Sequence, residues 1–200
     1  MNKWIKRTLL ITVIILLAAA WTWRYVTMNR YYDDLDNSDY QLYQSGEFVP
    51  FEDDGLDLET DLNGYHVRVD RFEVRATADC LTEWGVNISA DKYTAEKMAL
   101  AYITLKNESC DPNPVKLTAM LFRGEDCTAP MQYDLLIAAN PVLQGYTQIA
   151  LNPGDECQIV LPYGLIKSLF SSSTWDHIDE ETFYLGVTSG LTKKEVRING

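Results

Sequence analysis

The sequence predicts an all-β domain that follows one membrane-spanning helix near the amino terminus, and three observations carry this prediction. An uncharged, largely apolar run extends over residues 8–23. Short segments in which apolar and polar residues alternate follow from Gly64 onward, as in half-buried β-strands. Pro, Gly, Asn and Asp are grouped between these segments, which is typical of turns that join antiparallel strands.

The apolar run is long enough to cross a bilayer. As a helix, residues 4–23 extend about 30 Å, which is the thickness of the hydrocarbon core. Basic residues precede the run and acidic residues soon follow it, so the positive-inside rule keeps the amino terminus in the cytoplasm. We therefore expect a cytoplasmic flank over 1–7, a signal-anchor over 8–25, and a single-pass cell-membrane protein whose carboxyl-terminal domain is extracellular.

A cleaved secretory signal is the alternative interpretation of the same segment. Ala18, Ala19 and Ala20 supply small residues at a position where a signal peptidase would cut. Retention is favoured because residues 21–26 prolong the apolar segment beyond these alanines, to a length that a removable signal does not need. Both interpretations export the rest of the chain.

A polar segment over 26–63 separates the apolar run from the first clear strand. Carboxylates recur through its second half, over residues 52–61, and carboxylate oxygens are ligands that calcium prefers. The EF-hand order of residues is not met around Gly55, however. We therefore expect a solvated acidic spacer beside the membrane, with calcium binding as the alternative.

The first predicted strand covers residues 65–76. Apolar residues occupy its odd positions as far as Val69 and its even positions from Phe72 onward. A shift of one residue in a two-residue period is what a β-bulge produces. The pattern therefore predicts one long strand with a bulge between Val69 and Phe72.

Six further strands show the same alternation. Their shared faces carry Ala99, Ala101, Ile103 and Leu105; Val115, Leu117, Ala119 and Leu121; Thr147, Ile149 and Leu151; Cys157, Ile159, Leu161 and Tyr163; Phe183, Leu185 and Val187; and Val196 and Ile198. The turn Asn152-Pro153-Gly154-Asp155 predicts a hairpin between the segments on its two sides. Short antiparallel strands separated by turns favour an immunoglobulin-like antiparallel β-sandwich over 64–200.

Four cysteines, Cys80, Cys110, Cys127 and Cys157, follow the apolar run. An even number of cysteines in an exported domain predicts disulfides, with free buried thiols as the alternative. Zinc is disfavoured because no two of them have the C-x2-C spacing of a structural zinc site. If consecutive strands run antiparallel, the strand ends beside these residues predict that Cys80 pairs with Cys127 and Cys110 with Cys157.

Composition and motifs exclude several classes of function. The formal net charge of −12 argues against a nucleic-acid partner. No phosphate-binding loop or dinucleotide fingerprint is present, so we expect neither a cofactor nor a metal site. The two histidines, His66 and His177, are not accompanied by a nucleophile that the sequence marks, so we predict no catalytic residue.

Three longer connections interrupt the predicted strands, at residues 79–97, 124–145 and 166–181, and helical turns are expected within the last of them. Large aromatic side chains on loops are frequent contacts in protein interfaces. Trp84, Trp175 and His177 lie in these connections and are our candidate binding residues.

Four segments together resemble a known group of proteins. They are Gly64-Tyr65-His66-Val67-Arg68-Val69, Ala101-Tyr102-Ile103-Thr104-Leu105-Lys106-Asn107, Leu151-Asn152-Pro153-Gly154-Asp155 and Phe183-Tyr184-Leu185-Gly186-Val187. The group consists of uncharacterised Gram-positive bacterial membrane-anchored proteins of about 200 residues. The resemblance implies an exported immunoglobulin-like domain of unknown function, and it brings no catalytic residue with it.

Two functions follow as expectations. The first is a non-enzymatic protein-binding or envelope-associated module, held at the membrane by its N-terminal helix and presenting loops to another membrane or extracellular protein. The second is an exported hydrolase acting on polysaccharide or peptide. It remains open because 29 acidic residues offer many pairs of carboxylates, and pairing in space is not readable from sequence.

Overall fold

The computed structural model describes residues 4, 12, 15–26, 39–51, 61–89, 92–108, 111–124, 127–188 and 192–199. The chain divides into two units, Met1–Ser38 and Asp39–Gly200. The predicted calcium-binding residues of the acidic segment lie outside the described residues, apart from Asp61.

The first unit contains a helical segment over residues 15–26. Its described side chains are exposed, and the rings of Trp21 and Tyr25 stack with their centroids 5.6 Å apart. In the part of the chain that the structure describes, no helix has both the length and the apolar character needed to cross a membrane. Much of the predicted flank over 1–7 and of the signal-anchor over 8–25 lies outside the described residues, so both stay predictions.

The second unit contains eleven described strands and three short α-helices. The strands are β1 (Asp39–Gln44), β2 (Val49–Pro50), β3 (Tyr65–Ala76), β4 (Lys97–Asn107), β5 (Val115–Lys116), β6 (Leu121–Arg123), β7 (Thr128–Ala129), β8 (Gln148–Ile149), β9 (Glu156–Leu165), β10 (Thr182–Gly186) and β11 (Thr192–Asn199). The helices are α1 (Thr77–Glu83), α2 (Tyr133–Ala139) and α3 (Ser172–Asp176). The 3-10 helices are Leu117–Ala119, Pro141–Leu143 and Lys167–Leu169.

These strands form three sheets. The five-stranded sheet has the order β1-β11-β10-β6-β7, the four-stranded sheet has the order β2-β3-β4-β9, and β5 pairs with β8. Among the described strands, β1 and β11 run parallel and the other pairs are antiparallel. The prediction of a mainly antiparallel β domain is therefore confirmed, and the helical turns expected within 166–181 are present as Lys167–Leu169 and α3. The helices α1 and α2 were not predicted.

The main hydrophobic core joins the two larger sheets. Phe122 is at its centre, because its ring stacks on Tyr163 at 4.8 Å and on Phe183 at 5.0 Å. Full burial of such a side chain stabilises the folded state by about 1.5–3 kcal/mol. The alternate residues of β4 that were predicted to share a face all enter this core: Ala99, Ala101, Ile103 and Leu105.

A second, smaller core lies on the other face of the four-stranded sheet. Met98 and Leu100 of β4 point to this side and pack with Leu81 of α1 and Leu135 of α2. Since α1 and α2 cover this end of the sheet, β4 is apolar on both faces there, as expected of a strand that is covered on both sides.

The predicted bulge is present in β3. The register against β4 shifts between Val69 and Arg71. Val69 on one side of the shift is buried, and Phe72 and Val74 on the other side pack against the same core. The bulge therefore keeps apolar side chains facing inward along a strand whose sequence changes phase.

Two predictions about strands are wrong. The third predicted strand is interrupted by the 3-10 helix Leu117–Ala119, and beyond it Phe122 is buried whereas Leu121 is exposed. The turn at Pro153 and Gly154 does not close a hairpin, because β8 pairs with β5 and β9 pairs with β4. The turn instead connects two sheets, and the Gly154 amide donates to the Asn107 carbonyl at the end of β4 at 2.7 Å.

The β domain also includes part of the segment over 26–63 for which the sequence predicts a solvated spacer. The strand β1 forms one edge of the five-stranded sheet, and β2 forms one edge of the four-stranded sheet. Val49 is fully buried, and Phe51 is nearly so. The alternation of polar and apolar residues in these strands is too short to be recognised from sequence.

Asn140 attaches the α2 region to the edge of β9. Its side-chain amide donates to the Leu136 and Val160 carbonyls at 2.7 and 2.8 Å, and its side-chain oxygen accepts from the Val160 amide at 2.8 Å. This side chain therefore replaces a neighbouring strand and satisfies the edge of the sheet.

Candidate functional site

A cleft of about 330 Å³ lies beside the amino-terminal end of α3. Its described lining comes from three places: Gly124 and Cys127 between β6 and β7, the stretch that leads into α3, and the start of β10. Its lining consists of Gly124, Cys127, Leu169, Phe170, Ser171, Thr174, Glu181, Thr182 and Phe183. This lining combines aromatic rings, hydroxyl groups and one carboxylate.

Hydroxyl groups surround the amino-terminal end of α3. Ser171 caps the helix, because its side-chain oxygen accepts a hydrogen bond from the Thr174 amide at 3.1 Å. The same oxygen lies 2.9 Å from the hydroxyls of Ser173 and Thr174. These bonds hold this wall of the cleft in one arrangement.

Glu181 provides the carboxylate of the cleft. It directly precedes β10, between Thr182 and the turn that follows α3. Among the described residues, its carboxylate makes no hydrogen bond and no salt bridge. A half-buried carboxylate of this kind is available to a ligand that donates hydrogen bonds.

Trp175, a predicted binding residue, lies in α3 behind this cleft. Only 7% of its surface is exposed, and it packs against Phe170 with ring centroids 5.8 Å apart. The Lys97 ammonium lies 5.0 Å from the Trp175 ring centroid. The structure therefore places Trp175 in the core, where it supports the cleft wall through Phe170.

The other two predicted binding residues lie apart from each other in the fold. His177 follows α3 and is exposed, with its Nδ1 atom 3.9 Å from the Glu180 carboxylate. Trp84 follows α1 and is half-buried against the second core. Trp175 lies in α3 and His177 directly follows it, and α3 borders the cleft. Trp84 instead lies beside the four-stranded sheet. A binding role for each stays a prediction.

The structure does not bring Cys80 and Cys127 together as the first predicted pair requires. Cys80 is a free, fully buried thiol in α1, and burial raises its pKa to about 11. Cys127 lines the cleft beside Phe183, which belongs to the main core. The four-stranded sheet therefore lies between Cys80 and Cys127. The prediction assumed that consecutive strands run antiparallel and considered only the ends of the strands, not the face of the sheet on which each cysteine lies.

The second predicted pair is only partly described. Cys157 lies in β9 as a free thiol whose pKa is raised by burial. Cys110 lies outside the described residues. For the described residues, no group of three or more His, Cys, Asp or Glu side chains is arranged to hold a metal ion.

The outer face of the five-stranded sheet is a second candidate surface, which we call the open face. One row across β1, β11, β10 and β6 contains Leu42, Glu195, Gly186 and Leu121. Leu42 is 44% exposed and Leu121 is 55% exposed. Because Gly186 has no side chain, the row has a depression between Glu195 and Leu121.

A charged network supports the open face. The Arg123 guanidinium donates to Glu195 with its Nε atom at 2.9 Å, and the Tyr40 hydroxyl donates to the same carboxylate at 2.9 Å. Arg123 also lies over the Tyr184 ring, 4.3 Å from its centroid. Burial alone would raise the pKa of Glu195, but the hydrogen bonds from Arg123 and Tyr40 and the Arg123 charge lower it. Glu195 is therefore ionised and held in place at neutral pH.

The outer face of the four-stranded sheet has a different network beside the helices. The Tyr102 hydroxyl donates to Glu73 at 2.6 Å, and the Arg71 guanidinium lies 3.8 Å from the Tyr102 ring centroid. Arg75 forms salt bridges with Glu73 and Glu83. These charges neutralise one another within the protein.

Sequence reasoning did not find the cleft or the open face. The cleft residues come from three separated segments, and no single segment has a recognisable motif. The open face contains Leu121, which the sequence placed on an inward-facing row. The strand β6 contains three residues, which are too few for an alternating pattern to show that Phe122 is buried and Leu121 is exposed.

Taken together, the described residues form a β domain that contains this small cleft and this exposed sheet face. This chain belongs to the family described as Domain of unknown function (DUF5028), whose family model matches residues 40–194. The match begins within β1 and ends within β11, so it covers the β domain.

Two solved structures from Bacillus subtilis are similar to this chain. The yjhA protein is 11% identical, with a TM-score of 0.42 over 78% of this chain and 99% of that chain. The candidate lipoprotein ycdA of strain 168 is 10% identical, with a TM-score of 0.41 over 68% of this chain and 36% of that chain. No curated protein sequence matches this chain.

Proposed function

We propose that this chain is a membrane-tethered, extracytoplasmic binding protein without enzymatic activity, whose open face binds another membrane or extracellular protein. In this proposal the N-terminal segment over 8–25 is a retained signal-anchor, and the β domain is an immunoglobulin-like sandwich displayed outside the cell. The exposure of Leu42 and Leu121 in one row of the five-stranded sheet is the observation that carries the proposal.

The proposed tether rests on the sequence. Residues 8–23 are uncharged, and basic residues precede them, which favours an inner amino terminus. The described residues 15–26 are helical and expose apolar side chains that lipid would cover. Export of the β domain follows from this orientation.

The open face suits a protein partner better than a small substrate. Leu42 and Leu121 expose apolar area, and Tyr40, Tyr184 and Arg123 belong to the residue types that contribute most to protein interfaces. The hydrogen bonds to Glu195 hold the Arg123 and Tyr40 side chains in place in the unbound protein. Less conformational entropy is therefore lost on binding.

Hydrolysis is less well supported by the cleft. Glycoside hydrolysis uses two carboxylates about 5–9.5 Å apart. The described lining of the cleft contains one, Glu181. The geometry therefore favours binding over the alternative of an exported hydrolase.

Site-specific photo-crosslinking in intact cells tests the proposal. A benzophenone amino acid is placed at Leu121 of the full-length chain, and in a matched chain at Val142, which is 51% exposed but lies in the 3-10 helix Pro141–Leu143. We expect one discrete protein adduct from position 121, identified by mass spectrometry, and none from position 142. Equal adducts from both positions, or no adduct from position 121, would contradict binding through the open face.

A further inference from the structure

We propose that the cleft beside α3 binds a small ligand that carries a primary ammonium group next to an apolar group. This site is separate from the open face, and it does not depend on the identity of the protein partner. The volume of about 330 Å³ is within the range of small-molecule sites, which are about 300–1,000 Å³.

The charge of the lining selects a cation. Glu181 is the charged side chain among the described lining residues, and its carboxylate has no partner among the described residues. No described lining residue is basic. The net charge of −12 adds a long-range attraction for cations to this local preference. An anionic ligand would meet repulsion from Glu181 without any compensating positive charge.

The acceptors in the cleft match the donors of an ammonium group. A primary ammonium donates three hydrogen bonds and accepts none. Glu181 supplies carboxylate oxygens that can accept these bonds.

The remaining lining fits the apolar part of the ligand. Phe170 contributes an aromatic ring and Leu169 an exposed aliphatic side chain, whereas Phe183 is 1% exposed and belongs to the core behind the cleft. Phe183 is held by stacking on Phe122, and Phe170 is held by Trp175. The walls are therefore in place before a ligand binds, and aromatic rings also attract cations.

Nuclear magnetic resonance of the full-length chain in lipid nanodiscs tests the proposal. Benzylamine is titrated at neutral pH while the amide signals of Thr182 and Phe183 are followed, and benzyl alcohol is the neutral control. We expect saturable shifts with benzylamine and at least tenfold weaker binding of benzyl alcohol. Equal affinity for the two compounds would overturn the proposal, and so would the absence of any shift with benzylamine.

A pair of variants then locates the charge. Glu181→Gln removes the carboxylate with little change of shape, and we expect it to weaken benzylamine binding at least tenfold. Glu180→Gln removes the same charge one residue away, outside the described lining, and we expect it to leave the affinity unchanged. If the Glu181→Gln chain binds benzylamine as well as the unmodified chain, the ammonium group is not bound by Glu181 and the proposal fails.

Discussion

The outer faces of the two large sheets differ in how their side chains are covered. On the four-stranded sheet, α1 and α2 cover Met98 and Leu100, and the neighbouring charged side chains pair with one another. On the five-stranded sheet, Leu42 and Leu121 remain exposed beside the Arg123–Glu195 pair. The apolar side chains of one face are covered by helices of the same chain, whereas those of the other face remain exposed.

This difference distinguishes side chains that stabilise the fold from side chains for which we propose a role in binding. Side chains on the covered face contribute to the free energy of unfolding, because their removal leaves cavities or unpaired polar groups. Burial raises the pKa of Tyr102 to about 12, and its hydrogen bond to Glu73 acts in the same direction. This tyrosine therefore remains a neutral donor to Glu73 at physiological pH. Substitution of exposed side chains on the open face is expected to change the free energy of unfolding of the isolated protein less.

The largest effect on the free energy of unfolding is expected from a substitution in α2, one of the two helices that cover the four-stranded sheet. Leu135→Ala leaves a cavity where α2 packs on the second core, and we expect it to lower the free energy of unfolding by about 2–5 kcal/mol. Tyr133→Ala is the matched control, because Tyr133 belongs to the same helix and is 56% exposed. We expect the control to change the free energy of unfolding by less than about 0.5 kcal/mol. Denaturant unfolding of both variants measures the difference.

A loss for Leu135→Ala as small as that for Tyr133→Ala would mean that packing of α2 on the second core does not stabilise the fold. The covered face would then be as tolerant of substitution as the open face, and the distinction between them would disappear.

An intermediate effect on the free energy of unfolding is expected at Glu195, whose carboxylate is paired on the open face. Glu195→Gln removes the carboxylate that Arg123 and Tyr40 contact, and we expect it to lower the free energy of unfolding by about 1 kcal/mol at neutral pH. Because folding lowers the pKa of Glu195, its ionised form is favoured in the folded state. The contribution is therefore fully present above the unfolded pKa, near 4.5, and is lost as the pH falls through the lower folded pKa.

Unfolding measured between pH 7 and pH 2 tests this sign. The difference between the unmodified chain and the Glu195→Gln variant is expected to shrink as the pH falls. A difference that grows toward low pH would show that the carboxylate is destabilising when ionised, contrary to the contacts that it makes.

The inner faces of the sheets were readable from sequence because a two-residue period repeats over enough residues to be distinctive. Ala99, Ala101, Ile103 and Leu105 all enter the main core, and the phase change in β3 correctly located its bulge. In both cases the information is local, since each side chain's face is determined by its position in its own strand.

The short helices were missed for the opposite reason. Both α1 and α2 contain seven residues, and neither has a side-chain hydrogen bond at its amino-terminal cap. Helices of this length are stabilised by the tertiary structure that they pack against, which here is the outer face of β4 and β9. Two of the longer connections predicted from the sequence therefore contain helices that local propensity does not reveal.

Strand pairing was the least predictable feature. The turn at Pro153 and Gly154 has the residues of a hairpin, but its Gly154 amide bonds to Asn107, which is distant in sequence. The partner of β9 is β4 because both strands bury long apolar faces there. The cleft depends on the same long-range arrangement, since it joins residues near 124, 170 and 182.

The smallest effect on stability is expected at Leu121, although the same change is expected to have a large effect on binding. Leu121→Ser removes an exposed side chain, so we expect the free energy of unfolding to change by less than about 0.5 kcal/mol. With a crosslinker at position 42 in the same row, the substitution is expected to remove most of the protein adduct, because a few residues near the centre of an interface contribute most of its binding free energy. A stable variant with an undiminished adduct would separate Leu121 from the binding surface. Loss of the adduct without loss of stability would show that this exposed surface is maintained for contact with a partner.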